Sequence, residues 1–189
     1  MKAAGWSFEE VTDARVVLVS PGGEVLAGTG PRHIEYPIHT EVMNARPDVG
    51  SVVHTHAPAA VCFAALDQPL LALSHDGVEF AEPQVARFTL TGSLINSAEL
   101  GRELAKTIGD GVGCLIPQHG LVAVGPDAAT AVMRAVLLAR ACQVQLQAMA
   151  AGEIRRWSDS AEITLKKEQV WAPSQIQAGY AFLCRQESG

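Results

Sequence analysis

Apolar and polar positions along this chain fall into blocks of changing period, and each change marks a new element. Ala14-Arg15-Val16-Val17-Leu18-Val19-Ser20 is a β-branched run, broken by Pro21-Gly22-Gly23 and resumed by Glu24-Val25-Leu26-Ala27-Gly28. That punctuation predicts a hairpin. Thr29 to His33 reads as an irregular loop. The stretch from Tyr36 to Ala45 suits a helix that starts at Pro37 and ends before Arg46-Pro47-Asp48. Gly50 to His56 reads as a buried strand, after which Pro58 can open a helix through Leu66.

Further on, Pro69 to Leu73 and Glu79 to Ala81 read as short strands. Ser97 to Ile108 is helical, with Ser97 as N-cap. Gly113 to His119 and Leu121 to Gly125 read as two strand segments. Pro126-Asp127 opens the longest helix, which runs to about Met149 with Val132, Val136, Leu137, Ala141, Val144 and Leu146 on its core side. The tail from 153 to 189 is more polar and less patterned. Strands mixed with helices predict an α/β class. No internal repeat or linker interrupts the pattern, so one domain spanning 1–189 is expected.

Composition narrows the class. The chain has 189 residues, 48% hydrophobic and 18% charged, with a net charge of −6. No basic stripe is present, which argues against nucleic acid and against an anionic membrane surface. No run of about 18 apolar residues occurs, so no membrane span is predicted. The cysteines Cys62, Cys114, Cys142 and Cys184 are scattered and form no Cys-x-x-Cys pair. Free thiols in a reducing cytoplasm are the expectation.

All six histidines lie between His33 and His119. His54 and His56 stand two apart in the Val52-Val53-His54-Thr55-His56 run, and alternate strand residues share a face. Both rings are therefore aimed at one region, as a divalent metal site needs. Two buried histidines bonded to backbone would give the same spacing. His119, in Gln118-His119-Gly120, is the candidate third ligand. Glu35, in the loop before the first helix, could be a fourth ligand, a general base, or an acidic residue favoured by the helix dipole. His39 follows it at i+4 and is a candidate support for the site, or a surface residue.

Four segments carry a family resemblance: Glu35-Tyr-Pro-Ile-His39, Arg46-Pro-Asp-Val49, Val53-His-Thr-His56 and His119-Gly-Leu-Val-Ala-Val-Gly125. Over about residues 7 to 150 the chain resembles the class II aldolase/adducin family. The resemblance implies a three-layer α/β/α sandwich with a largely antiparallel central sheet. It also implies a divalent metal on His54, His56 and His119, with zinc first and manganese, cobalt or iron as alternatives. Glu35 falls on the family's catalytic acid/base. The implied reaction breaks a carbon–carbon bond by aldol cleavage or decarboxylation, through a metal-stabilised enolate. Homotetramers are the family precedent.

Three departures from the sugar-phosphate aldolases shape the substrate expectation. A segment with the Gly-Asn-x-Ser type of phosphate loop is absent. Arg32-His33-Ile34 stands where those enzymes carry small hydroxyl residues. His75 occupies the position of an aldolase tyrosine proton donor. A small, non-phosphorylated hydroxy-carbonyl or hydroxy-aromatic acid is expected, with Arg32 and His33 as substrate-binding residues and His75 as a candidate general acid. The Pro-Arg-His-Ile-Glu context resembles the family's decarboxylase branch. Two alternatives stand beside this reading: a sugar-phosphate aldolase or 4-epimerase lacking its N-terminal segment, and a non-catalytic adducin-like scaffold.

Overall fold

In chain order the elements are β1 (Leu18–Val19), β2 (Val25–Ala27), α1 (Tyr36–Ala45), β3 (Ser51–Thr55), α2 (Pro58–Ala64), α3 (Val78–Ala81), β4 (Ala86–Arg87), α4 (Ala98–Ile108), β5 (Gly113–Ile116), β6 (Gly120–Gly125), α5 (Ala128–Ala151), α6 (Ser160–Gln169) and α7 (Pro173–Glu187). They come from a computed structural model that describes residues 1–187; the last two positions of the expected tail, 188 and 189, lie outside the described residues. The elements group into two compact units. One comprises Met1–Pro47 with Leu94–Lys106, the other Asp48–Ser93 with Thr107–Gly189.

In the first unit the expected hairpin is present, with β1 and β2 antiparallel and Leu18 opposite Ala27. The N-terminus adds to it: Ala3 N–H donates to the Arg15 carbonyl at 2.7 Å, and Val17 N–H to the Met1 carbonyl at 2.8 Å. Helix α1 begins at Glu35 as N-cap, carries a proline in its first turn and ends at Arg46. These are the bounds that Pro37 and Pro47 predict, because proline tolerates the start of a helix and disfavours its continuation. Ser97 caps α4 as expected, its Oγ accepting from Leu100 N–H at 3.2 Å. Arg102 of α4 pairs with Glu41 of α1 at 3.6 Å.

The second unit is built on a four-stranded sheet of order β3-β6-β5-β4. The β3–β6 and β5–β6 pairs are antiparallel, whereas β4 runs parallel to β5. The sheet is thus mixed, with antiparallel pairing predominant. Helices α2 and α5 pack on β6, and α7 packs on α5. Phe63, Leu115, Leu121, Leu137 and Leu138 are fully buried in this core. Each contributes roughly 1.5–3 kcal/mol by leaving water. Asp127 caps α5, accepting from Thr130 N–H at 2.7 Å. No helix among the described residues is long and apolar enough to cross a membrane.

Three expectations give way in this unit. Pro69–Leu73 is not a strand, because glutamine side chains take the place of a neighbouring strand. Gln84 Oε1 accepts from Leu70 N–H at 2.9 Å while Gln84 Nε2 donates to the Leu70 carbonyl at 3.0 Å. Gln145 does the same for Leu71 N–H and the Pro69 carbonyl. Glu79–Ala81 is helix α3, continuing a 3-10 turn at His75–Gly77. The tail forms α6 and α7, whose burial rests mainly on Ile163 and Ile176, so little period shows in the sequence.

Candidate metal centre

The centre starts from β3. Val53 packs against the core that α2 and α5 cover. Alternation therefore turns Val52 and His54 to the opposite face, with His56 following just past the strand end. His54 lies opposite Val122 in the β3–β6 register. His119 sits in the turn from β5 to β6, where its N–H donates to the Ile116 carbonyl at 3.1 Å. It is only 8% exposed. The ligand atoms of the three histidines lie within 4.8 Å of one another. Ring centroids are 4.8 to 5.0 Å apart with interplanar angles of 61 to 82°, so the rings fan edge-on around a common point.

The tautomer of His54 follows from one contact. Its Nδ1 lies 2.9 Å from the Leu121 carbonyl oxygen. A carbonyl only accepts, so Nδ1 carries the proton and Nε2 keeps its lone pair, the arrangement that orients metal-binding histidines. That Nε2 is 3.2 Å from His56 Nε2. Two nitrogens bound tetrahedrally to zinc at 2.0–2.1 Å stand roughly 3.3–3.4 Å apart. The donors present fit a divalent ion of zinc's size.

Gly120 makes room for this arrangement. A Cβ there would fall on the Thr55 carbonyl oxygen and lie 3.1 Å from His56 Cδ2. Only glycine lets β3 and His56 come this close to the residue after His119.

Among the other anticipated residues, His75 is exposed and opens the 3-10 turn at His75–Gly77. Its carbonyl accepts from Trp171 Nε1 at 3.0 Å, and its ring is outside the converging ligand set. In the first unit, Glu35 is 2% exposed, and its Oε1 accepts from Ile95 N–H at 2.9 Å. Although Glu35 is the N-cap of α1, its side chain makes no cap hydrogen bond. Its position at the α1 N-terminus is the one the helix dipole favours for an acid, and its side chain is turned to Ile95.

His33 is exposed, and its Nδ1 accepts from Glu35 N–H at 3.3 Å. A neutral His33 ring then carries its proton on Nε2. Arg32 stacks its guanidinium over Tyr36 at 4.1 Å, and its Nε donates to the Gly23 carbonyl. His39 is half-buried one turn into α1. The Leu121 carbonyl and Ile95 N–H escaped the sequence reading because they are backbone groups, which no side-chain motif marks. Gly120 had a signal, a glycine directly after a ligand candidate.

With this geometry established, comparison with known proteins adds a lineage. The family model described as the Class II Aldolase and Adducin N-terminal domain matches residues 1–146. Decarboxylase NovR of Streptomyces niveus is 34% identical over 149 residues, covering 77% of this chain and 54% of that protein. The 4-hydroxy-3-prenylphenylpyruvate oxygenase/4-hydroxy-3-prenylbenzoate synthase of Streptomyces roseochromogenus subsp. oscitans is 34% identical over 148 residues, 77% of this chain and 53% of that protein. The chain thus spans about half the length of these two curated relatives. A crystal structure of an aldolase II superfamily protein from Pseudomonas syringae matches with a TM-score of 0.83 at 26% identity, over 98% of this chain and 76% of that one. The class II aldolase-like α/β fold that the resemblance implied is the fold of this neighbour.

Proposed function

The chain belongs to the class II aldolase and adducin family, and from that membership we propose that it is a metal-dependent carbon–carbon lyase. Its substrate is a small hydroxylated carbonyl or aromatic acid without phosphate. The observation that carries this reading is the convergence of His54, His56 and His119, with His54 held in the tautomer that leaves Nε2 as a donor. The name of the Streptomyces niveus relative, Decarboxylase NovR, favours decarboxylation over aldol cleavage.

A divalent cation on these histidines would supply Lewis-acid stabilisation of charge left on a substrate oxygen. Zinc suits three imidazoles, which manganese, cobalt and iron share. Glu35 is the proton carrier in this reading: Ile95 fixes one of its oxygens, giving a buried carboxylate a set posture. Arg32 presents its two Nη groups to a substrate carboxylate, its Nε being committed to Gly23. His33 adds an Nε2 donor, and His39, one turn after Glu35 in α1, serves as its support. His75 serves as a general acid in a neighbouring subunit of a homotetramer. Among the described residues Cys62, Cys114, Cys142 and Cys184 form no disulfide, in keeping with a cytoplasmic setting.

Metal analysis of protein purified without chelator tests the centre. About one equivalent of divalent metal per chain is expected, and His54→Ala should lose both metal and activity while the fold persists. Less than about a tenth of an equivalent, with no uptake of added zinc or manganese, overturns the reading. A panel of hydroxy-aromatic carboxylates and aldols, scored for carbon dioxide or aldehyde, separates the two reactions.

A further inference from the structure

Gln118 stands immediately before His119 and has φ +65°, the positive-φ non-glycine residue among the described residues. Pro117 and a left-handed Gln118, closed by the His119 N–H to Ile116 carbonyl bond, occupy the positions of a type II turn. Such a turn ordinarily takes glycine at this place, because a side chain there is strained. The fold accommodates the side chain a second time. A Cβ on Gly92 would lie 2.7 Å from Gln118 Oε1 and 3.0 Å from Gln118 Cβ, so the facing loop carries no side chain where Gln118 runs. The glutamine gives the fold little in return. It is exposed, and among the described residues its carboxamide makes no hydrogen bond to the protein.

A strained residue that leaves its polar head unused by the fold, next to a candidate ligand, has the profile of a functional group. We propose that the Gln118 carboxamide donates a hydrogen bond to an oxygen of the small molecule bound at the three-histidine centre, and so helps to select oxygen-rich substrates. This inference rests on the metal-centre reading above. A carboxamide suits the task. It donates through Nε2 and accepts through Oε1 without adding charge beside a metal. Its turn is tied on one side to β5 and on the other to β6, so the head is delivered from a rigid hairpin.

Two substitutions separate this role from a structural one. Gln118→Gly removes the carboxamide and the backbone strain together. Gln118→Ala removes the carboxamide and keeps the strain. The zinc-loaded full chain is titrated calorimetrically with 2,3-dihydroxybenzoate, a hydroxy-aromatic carboxylate, and zinc affinity and Tm are measured alongside. Both variants should bind the probe roughly 2- to 13-fold more weakly than the wild type, the range of one lost hydrogen bond. Their zinc affinity should be unchanged, and Gln118→Gly should melt at or above the wild-type temperature.

Wild-type probe affinity in both variants overturns the inference and leaves the metal centre standing. So does a loss of zinc affinity that matches the loss of probe binding, which would assign Gln118 to holding His119. Absence of probe binding to the zinc-loaded wild type also overturns it. Failure of the wild type to bind zinc overturns the metal centre, and the inference falls with it.

Discussion

Gly120→Ala tests the link between sheet packing and the metal centre. The added methyl would fall on the Thr55 carbonyl oxygen and lie 3.1 Å from both the Thr55 carbonyl carbon and His56 Cδ2. The first two obstacles are backbone, so no rotamer change relieves them. Either β3 moves off β6 at the Thr55–Leu121 pair, or the β5–β6 turn shifts with His119. Overpacking of this kind costs about 1–3 kcal/mol. At about 2–4 °C per kcal/mol for a chain of this length, an intermediate cost of about 2 kcal/mol lowers Tm by about 4–8 °C. His56 and His119 flank the collision, so zinc affinity should fall by about tenfold or more, as it does when groups behind metal ligands are disturbed.

The assay is thermal unfolding and urea denaturation of the metal-free protein, with a separate zinc competition titration. Gly22→Ala is the control, because its Cβ would meet only Ser20 Oγ at 3.8 Å. It should stay within about 0.5 kcal/mol of the wild type. A Gly120→Ala variant melting within about 1 °C of the wild type, with zinc affinity within about twofold, would show that β3 and His56 do not pack as described.

Two further predictions test the second unit away from the centre. Burial pushes the Cys114 and Cys142 thiols up to about 12, whereas Cys62 and Cys184 are exposed. Native protein at pH 8 should therefore take up two iodoacetamide labels by mass spectrometry, and unfolded protein four. Because these thiols ionise more easily unfolded than folded, stability should be full below about pH 9 and fall as pH rises toward about 12; a flat profile would refute the burial. Arg134 pairs with Glu79 at 3.1 Å, both about four-fifths buried, and also donates to the Val124 carbonyl at 2.8 Å. Arg134→Met should cost about 2–4 kcal/mol in urea denaturation by leaving Glu79 unpaired, and adding Glu79→Leu should recover much of that loss; equal stability of the two variants would sink this account.

The long elements could be read from their own residues. Helix α1 starts and stops where Pro37 and Pro47 say it should, and α5 starts where Asp127 does, because capping and proline sterics act within a turn of the chain. The segment at Pro69–Leu73 misled for the opposite reason. Its apolar run looks like a strand, yet its hydrogen bonds go to Gln84 and Gln145, the latter more than seventy residues away. Two short side-chain amides filling in for a strand leave no periodic trace. Strand β4 is only two residues long and escaped notice altogether.

By itself the sequence determined the candidate ligand types, their order and the strand that carries His54 and leads into His56, because spacing along a strand decides which side chains share a face. It also determined the family, through motifs whose spacing survives. Only the tertiary structure decided the rest. The Leu121 carbonyl selects the His54 tautomer, Ile95 holds a Glu35 that is buried rather than exposed, and Gly120 admits His56. The Ile116–His119 turn puts Gln118 in a left-handed conformation that composition would assign to glycine. The Leu121 and Gly120 contacts depend on the β3–β6 register, which is set by pairing between distant segments rather than by any residue's own preference.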